Sequence, residues 1–265
     1  MNRKEIKSIA KSKLKGRWFN IVLLTLIIAI IEFGASEIIG RTEGITSNIL
    51  NIANNFLLMP AITASGIIYT IKFVKSNEVV SLSYAIPSIK TWGRFIMSMI
   101  VTMIFSIPIL LVVFLGNIFL VLSITSLHSA MLTGQISMNP MIGIWGVVFL
   151  IVILVLILAA IVGILLFPLP YLMAEDTCGI WQAVKRSFKI MNGHKWELFI
   201  MGLSFLGWLI LSALTFGIGL LWLLPYIQVT LRIYYLSITG RALEIGKYEL
   251  NQNIEVKEED FEFRD

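Results

Sequence analysis

The feature that most constrains this chain is a series of long apolar runs separated by short polar segments. Five or six of these runs approach or exceed the roughly 20 residues that a helix needs to cross ~30 Å of hydrocarbon. Hydrophobic residues make up 57% of the sequence and charged residues 14%. A soluble core of this size could not bury that much apolar surface. The sequence therefore predicts an all-α, multi-pass membrane protein.

We predict six membrane-spanning helices within one helical membrane domain over residues 1–240. The predicted spans cover residues 18–39, 49–73, 95–127, 141–173, 196–214 and 218–238. The third and fourth runs would each be about 50 Å long if fully helical, more than one crossing and less than two crossings with a turn. We expect each to form a single tilted or protruding helix, kinked at Pro108 in the third and loosened at Pro168 and Pro170 in the fourth.

The distribution of basic residues predicts how the six spans are oriented. Of the 21 Lys and Arg residues, Arg41 alone falls in a segment on the far side of the predicted spans. Segments rich in Lys and Arg remain in the cytoplasm. We therefore expect both termini to be cytoplasmic, with residues 241–265 forming a solvated acidic tail.

A basic amphipathic segment precedes the first span. Residues 2–17 hold seven Lys and Arg residues, and Asn2 with Glu5 forms a capping-box pattern. The apolar positions of this segment are Ile6, Ile9, Ala10 and Leu14. We predict an interfacial helix lying on the membrane. A secretory signal peptide also begins with basic residues, but no clear small-residue cleavage site follows, so an uncleaved first span is predicted.

A second basic amphipathic helix is predicted just before the last two spans. Asp176 or Thr177 can cap its start, and Asn192-Gly193 suits the left-handed residue that ends a helix. Two interpretations stay open: the helix lies in the headgroup boundary, or it docks into a cytoplasmic partner as coupling helices of transport permeases do. The candidate membrane-interface or partner-binding residues are Trp181, Lys185, Arg186, Phe188, Lys189 and Trp196.

Three similar segments suggest an internal repeat of a helix followed by a hairpin. Each ends in a basic and aromatic threshold before an outward span: Lys15-Gly16-Arg17-Trp18, Trp92-Gly93-Arg94-Phe95 and Gly193-His194-Lys195-Trp196. The returning spans carry Pro60, Pro170 and Pro225. Three copies inserted the same way round would explain this pattern. Trp and basic residues also gather at any cytoplasmic interface, and proline is common in spans, so both interpretations remain open.

Polar residues inside the predicted spans are the other candidate functional residues. They are Glu32, Asn51, Asn54, Asn55, Gln228 and Arg232. Glu32 either carries a proton or cation as a buried carboxylate, or marks the helix end with Glu37 and reaches outer water. The three asparagines share a broad helical face that meets other helices or lines a polar cavity. Arg232 lies near the basic side and is expected to snorkel or pair with lipid phosphate, with Gln228 one turn earlier on the same face.

Residue patterns typical of catalysis are sparse. His128 and His194 lie in separate segments without metal-ligand spacing, and the single Cys178 excludes an internal disulfide. Ser204 lies between two glycines, as in some intramembrane proteases, but a serine nucleophile needs a nearby base and no histidine lies at that depth. We therefore predict no metal, no cofactor and no enzymatic activity. The basic residues that give the chain its net charge of +5 lie beside the spans. Attraction to anionic lipid and the orientation of the spans explain this position better than binding to nucleic acid does.

Several motifs resemble a bacterial family of integral membrane proteins called domain of unknown function 975. They are Met1-Asn2-Arg3-Lys4-Glu5-Ile6-Lys7, Ala174-Glu175-Asp176, Asn192-Gly193-His194-Lys195-Trp196-Glu197-Leu198-Phe199, Leu214-Thr215-Phe216-Gly217-Ile218-Gly219-Leu220 and Pro225-Tyr226. Family members usually have an Ile-Pro-Gly turn in the fourth span, where this chain has Phe167-Pro168-Leu169-Pro170. The resemblance implies a six-span protein of the bacterial cell membrane and carries over no catalytic residues.

Together these patterns favour a noncatalytic protein that binds membrane lipids, a hydrophobic peptide or other membrane proteins, and no nucleic acid. The alternative is a transport component. It would be either a permease that relies on a separate ATPase, because Walker-type phosphate loops are absent from the sequence, or a small secondary carrier that uses Glu32.

Overall fold

The computed structural model describes residues 2–76, 78, 80–132, 138–175 and 178–241. The predicted helix caps Asp176 and Thr177, and the acidic tail beyond Arg241, lie outside these residues. In the part of the chain that is described, every regular element is helical, as predicted. The chain forms two compact units, one from residues 1–98 with 168–265 and one from residues 99–167. The prediction of one membrane domain over 1–240 stays a prediction.

The first unit begins with helices α1 (Arg3–Leu14) and α2 (Trp18–Gly40). The backbone N–H of Asn2 donates to Glu5 Oε2 at 3.2 Å, in agreement with the predicted capping pattern. Ile6, Ala10 and Leu14 are buried, and α1 lies against the last helix of the chain. The α1 face that the sequence analysis assigned to the membrane surface therefore packs on protein instead.

The second predicted span is an almost continuous helical segment with an irregular turn. It consists of α3 (Gly44–Ala53), a π-helical turn (Asn54–Leu58) and α4 (Met59–Lys75). Proline lacks the backbone N–H that a regular helix needs, and the π-turn ends two residues before Pro60. The indole of Trp92 donates to the carbonyl of Leu57 at 3.0 Å, so this turn is held from outside its own helix.

A short 3₁₀ turn (Leu82–Ala85) leads into α5 (Ile89–Phe105). Gly93 lies inside α5, so the Trp92-Gly93-Arg94-Phe95 segment does not interrupt the helix. The start of the third span at residue 95 stays a prediction. The helix begins earlier because nothing in the segment from Ile89 interrupts it.

The second unit is built around α6 (Ile107–Leu132) and α7 (Met138–Leu166), which lie side by side. The helix break at Ser106 agrees with the kink predicted near Pro108. Gly116 permits close packing of the two helices, since a Cβ added there would lie 3.1 Å from Ile151 Cγ2. α7 ends just before Pro168, where the fourth run was predicted to loosen.

The chain then completes the first unit with four more helices. They are α8 (Leu169–Ala174), α9 (Ile180–Met191), α10 (Lys195–Leu214) and α11 (Leu220–Ile238). The turn between α10 and α11 holds Phe216 and Gly217 in the left-handed region, at φ values of 53° and 83°. These two residues form a tight corner that joins the helices.

Helices α1 and α9 are alike in length and in the way each connects to the next helix. Both have 12 residues. Gly16 and Gly193 follow them at the same spacing, with φ values of 77° and 89°. The conformation predicted for Asn192-Gly193 is therefore confirmed. The third proposed copy has no such joint because Gly93 is helical, so the threefold repeat stays a prediction.

Five helical segments of the described chain are long and apolar enough to cross a membrane. They are Trp18–Gly40, Gly44–Lys75, Ile107–Thr125, Trp145–Ala174 and Lys195–Leu214. A set of this kind supports a multi-pass membrane protein. The predicted sixth span, α11, is not among the five. Its Gln228 and Arg232 lower the mean hydropathy of the helix.

Candidate functional site

The first unit contains a cavity of about 480 Å³ among α2, α4, α8 and α11. Its volume lies within the roughly 300–1,000 Å³ typical of ligand pockets. Isoleucine and leucine side chains form much of the wall. The polar side chains that line it are Thr25, Glu32, Thr63, Thr70, Tyr171 and Gln228. An apolar wall with a few polar groups is the usual composition of a site for a small organic ligand.

Helical periodicity brings these polar side chains to one place. Thr25 and Glu32 lie two turns apart on α2, and Thr63 and Thr70 lie two turns apart on α4. Residues at this spacing share a helix face. The threonines were not singled out from the sequence, although their spacing was visible there.

Glu32 and Glu37 occupy different environments. Glu32 is half-buried, lines the cavity, and makes no hydrogen bond or ion pair with any residue that the structure describes. Glu37 is exposed and accepts a hydrogen bond from Arg41 Nη2 at 2.9 Å. The helix-end interpretation therefore fits Glu37, whereas Glu32 presents an unpaired carboxylate to the cavity.

Gln228 lines the same cavity from α11, opposite a glycine of α4. A Cβ added to Gly66 would lie 3.7 Å from Gln228 Oε1, so the glycine leaves room for the amide without a clash. Within the described chain the amide has no hydrogen-bond partner. Gln228 therefore keeps a donor and an acceptor for an occupant of the cavity.

The three asparagines of the second predicted span lie elsewhere. Asn51 is exposed and donates to the carbonyl of Ser47 in its own helix at 2.9 Å. Asn55 is exposed, while Asn54 is half-buried with an Oδ1 that finds no partner among the described residues. None of the three lines the 480 Å³ cavity.

One helical turn after Gln228, the same face of α11 carries a buried ion pair. Arg232 is completely buried, and its Nη2 donates to Glu175 Oε1 at 2.8 Å. The predicted snorkelling of Arg232 to lipid phosphate is therefore wrong. The carboxylate of Glu175, directly after α8, pairs with the guanidinium and neutralises its charge within the protein.

Glu175 gathers two further donors into an ion cluster with Arg232. Tyr235 Oη donates to Glu175 Oε2 at 3.2 Å, and Arg241 Nη1 donates to the same oxygen at 2.7 Å. The rings of Tyr171 and Tyr235 stack with centroids 4.8 Å apart, and Arg232 Cζ lies 5.4 and 5.1 Å from them. The tyrosine faces add a favourable contact for the buried cation.

Sequence reasoning missed the partners of Arg232. Glu175 was noted only as part of a family motif, and Tyr171, Tyr235 and Arg241 were not considered. One signal was present: an intramembrane arginine usually has a partner, and Glu175 is an acidic residue directly after a long apolar run. Tyr171 connects the two sites because it contributes both to the cavity wall and to the ion cluster.

Helix α9 has a buried face and an exposed face. On the buried face lie Val184, Ser187 and Met191, and α9 lies against α8. On the other side Lys185, Arg186 and Lys189 are exposed, and Phe188 is half-buried. Trp181 is 65% exposed, and Trp196 at the start of α10 is 69% exposed. These aromatic and basic side chains remain available to lipid or to another protein.

Ser204 has a basic neighbour, although not a histidine. Lys7 Nζ donates to Ser204 Oγ at 2.6 Å. Ser204 lies in the interior of α10, where backbone N–H groups bond within the helix and cannot serve as oxyanion donors. The contact therefore docks α1 onto α10. Among the described residues, no group of three or more His, Cys, Asp or Glu side chains could hold a metal ion.

The fold, with its five membrane-length apolar helices and a cavity among helices of one unit, defines a multi-pass helical membrane protein. The chain belongs to the family described as protein of unknown function, DUF975, whose model matches residues 1–242. This confirms the resemblance seen in the sequence motifs. Neither the curated proteins nor the solved structures include a significant match to the chain.

Proposed function

We propose that this protein is a noncatalytic membrane protein that binds an amphiphilic molecule, a lipid or a hydrophobic peptide, in the cavity among α2, α4, α8 and α11. The cavity itself carries the proposal. Its apolar wall suits a hydrocarbon or an apolar side chain, and Glu32 and Gln228 supply polar groups without partners in the described chain. Unpaired polar groups beside an apolar wall select ligands that combine both characters.

The proposed arrangement has six spans in the bacterial cell membrane, with α11 as the sixth and both termini in the cytoplasm. The bias of Lys and Arg toward one side supports this orientation. Arg232 would ordinarily oppose insertion of α11. Its ion pair with Glu175 lowers that cost, because the two charges enter the membrane neutralised.

The absence of catalysis is part of the proposal. Ser204 has Lys7 beside it but lies mid-helix, and the cavity's other titratable residue besides Glu32 is Tyr171, whose ring stacks on Tyr235 in the ion cluster. The polar groups that face the cavity are suited to holding a ligand.

The test compares ligand retention by a cavity-filled variant and a matched control. Gly66→Leu would place a side chain in the cavity, whereas Gly163→Leu adds the same atoms to α7 where a Cβ meets nothing within 4 Å. Each protein would be purified in mild detergent, and its bound molecules identified by native mass spectrometry. The wild type and Gly163→Leu should retain the same amphiphile, and Gly66→Leu should lose it. Equal retention by all three would contradict the proposal.

A secondary carrier is the second candidate function, and the unpaired carboxylate of Glu32 favours it. A carboxylate inside a membrane cavity can exchange a proton or cation with an occupant. In proteoliposomes, a carrier would move its substrate against a gradient only when a proton or sodium gradient is imposed. Glu32→Gln should then abolish coupling. If the wild type moves nothing under either gradient, binding alone remains.

The exposed face of α9 is proposed as a contact for anionic lipid or for a protein partner, including a separate ATPase. Trp181 with Lys185, Arg186 and Lys189 supplies an aromatic anchor and positive charge. Charge reversal of the three basic residues to Glu should release a partner recovered by gentle affinity purification. If recovery is unchanged, this face is not the contact.

A further inference from the structure

A second concave site lies outside the cavity, in the same unit. It is a groove of about 390 Å³ among α1, α2, α10 and α11. Trp18, Trp208, Leu211 and Trp222 form much of its apolar lining, and Lys11 also lines it. The exposed fractions of Trp208, Leu211 and Trp222 are 59%, 52% and 50%. The groove is therefore open along one side, as a site for a lipid chain must be.

A row of cations runs along α1 toward this groove. Arg3, Lys7 and Lys11 follow one another at intervals of one helical turn, so their side chains are neighbours. Lys7 Nζ lies 4.4 Å from the centroid of the Phe205 ring. Phe205 in turn meets Tyr226, a groove residue, edge to face at 5.7 Å. Lys11 therefore lines the groove itself, and Lys7 is connected to it through Phe205 and Tyr226.

The positive charge of this row is not neutralised within the described part of the chain. Arg3 and Lys11 make no ion pair there. Burial, followed by the nearby charges of Lys11 and Arg3, lowers the pKa of Lys7. Mutual repulsion among cations is the signature of a place where an anion would be stabilised.

The position of Lys7 strengthens this argument. Ser204, its hydrogen-bond partner, lies about 13 Å along α10 from Lys195, well inside a helix of membrane-crossing length. An ammonium group at such a depth is costly in hydrocarbon unless water or an anionic headgroup accompanies it. A phospholipid supplies the anion and the hydrocarbon together.

We propose that the groove binds one anionic phospholipid, with its phosphate against Lys7 and Lys11 and an acyl chain against Trp208, Leu211 and Trp222. The three lining tryptophans give the chain a wide, rigid apolar surface. The site is separate from the cavity of the proposed function, and neither depends on the other.

Native mass spectrometry of the full chain tests the proposal. Detergent-solubilised protein would be titrated with phosphatidylglycerol and, separately, with phosphatidylcholine of the same acyl chains. We expect one phosphatidylglycerol molecule to bind, at least tenfold more tightly than phosphatidylcholine. A favourable contribution of about 1 kcal/mol per basic residue corresponds to about fivefold in affinity. Lys11→Gln should thus weaken phosphatidylglycerol about fivefold, and Lys7→Gln with Lys11→Gln should weaken it further, with phosphatidylcholine unchanged.

Two further variants separate the charge from the groove. Leu211→Trp fills the groove and should weaken both lipids alike. Lys72→Gln removes the same charge from an exposed position on α4, which contributes nothing to the groove, and should have no effect. The double variant's thermal unfolding would show that the fold persists.

The proposal is overturned if the two lipids bind equally, or if Lys72→Gln weakens phosphatidylglycerol binding as much as Lys11→Gln does. Glycerol 1-phosphate, which has the phosphate without the chains, should not displace the lipid. Displacement at equal concentration would show that the cations bind free phosphate and that the groove is not used. Gly66→Leu should leave this binding intact, so failure here and failure of the cavity proposal are distinguishable.

Discussion

Two neighbouring regions on one face of α11 treat polar groups in opposite ways. In the ion cluster, Glu175 accepts from two arginines and a tyrosine, and little of it is exposed, although Arg232 Nε and Nη1 have no hydrogen-bond partner among the described residues. In the cavity, Gln228, one turn before Arg232 on α11, and Glu32 of α2 have no partners in the described chain. The contrast indicates that the cluster stabilises the fold, whereas the cavity leaves polar capacity free for a ligand.

The largest expected effect is on the stability of the ion cluster. Arg232→Ala empties a fully buried position and removes the Nη2 donor from Glu175, which keeps Arg241 and Tyr235, and should lower the free energy of unfolding by about 3 kcal/mol. Thermal and denaturant unfolding in detergent, followed by tryptophan fluorescence, would measure it. Arg232→Met combined with Glu175→Gln removes both charges and should recover a large part of the loss. A change below about 1 kcal/mol for Arg232→Ala would mean that the pair is not structural.

A smaller loss should follow removal of one hydroxyl from the cluster. Tyr235→Phe keeps the ring stacked on Tyr171 but removes a hydrogen bond to a carboxylate, at a cost of about 1.5 kcal/mol. The matched control is Tyr69→Phe, which removes a hydrogen bond to the neutral carbonyl of Val80 and should cost about 1 kcal/mol or less. Equal losses in the same unfolding assay would show that the charge of Glu175 adds nothing.

The cavity should respond in the opposite sense, with binding affected and stability retained. Glu32→Gln should weaken the retained amphiphile about tenfold, or about 1.4 kcal/mol, and change the free energy of unfolding by less than about 0.5 kcal/mol. Glu37→Gln, at an exposed residue of the same helix, should change neither. Competition binding in detergent gives the affinities. If Glu32→Gln strongly lowered the free energy of unfolding, Glu32 would stabilise the fold as the ion cluster does, and the proposed difference between the two regions would be contradicted.

The smallest expected effect lies at the edge of the ion cluster. The Arg241 side chain is 32% exposed, so its ion pair with Glu175 is partly screened by solvent. Arg241→Gln should lower the free energy of unfolding by less than about 1 kcal/mol. The comparison with Arg232→Ala on the same carboxylate isolates the contribution of burial. Similar losses for the two arginines would show that burial is not the decisive difference.

Much of the helical architecture was readable from the sequence because it depends on local properties. The apolar runs, the corner at Phe216-Gly217 and the joint at Gly193 are set by residues close together in the chain. The helix start at Ile89 was missed because Trp92-Gly93-Arg94 resembles the true joints in composition. A glycine at such a spacing permits a left-handed turn but does not require one.

The candidate site was readable only in part. Glu32 and Gln228 stand out as polar residues within apolar runs, and both line the cavity. The pairing of Arg232 with Glu175 joins residues 57 positions apart, and it depends on how α8 packs near α11. No periodicity within either helix reports that packing. For the same reason the sequence could not show whether the apolar face of α1 contacts lipid or protein, since both accept the same side chains.

Tyr171 belongs to both the cavity lining and the ion cluster, and this has a practical consequence for purification of the protein. If the proposed ligand contacts this ring, it would also stabilise the stack with Tyr235, because one tyrosine belongs to both sites. Harsh detergent that strips the ligand should therefore also loosen the last helix. Preparations that differ only in washing would melt at different temperatures, and adding back the lost molecule would restore the higher one.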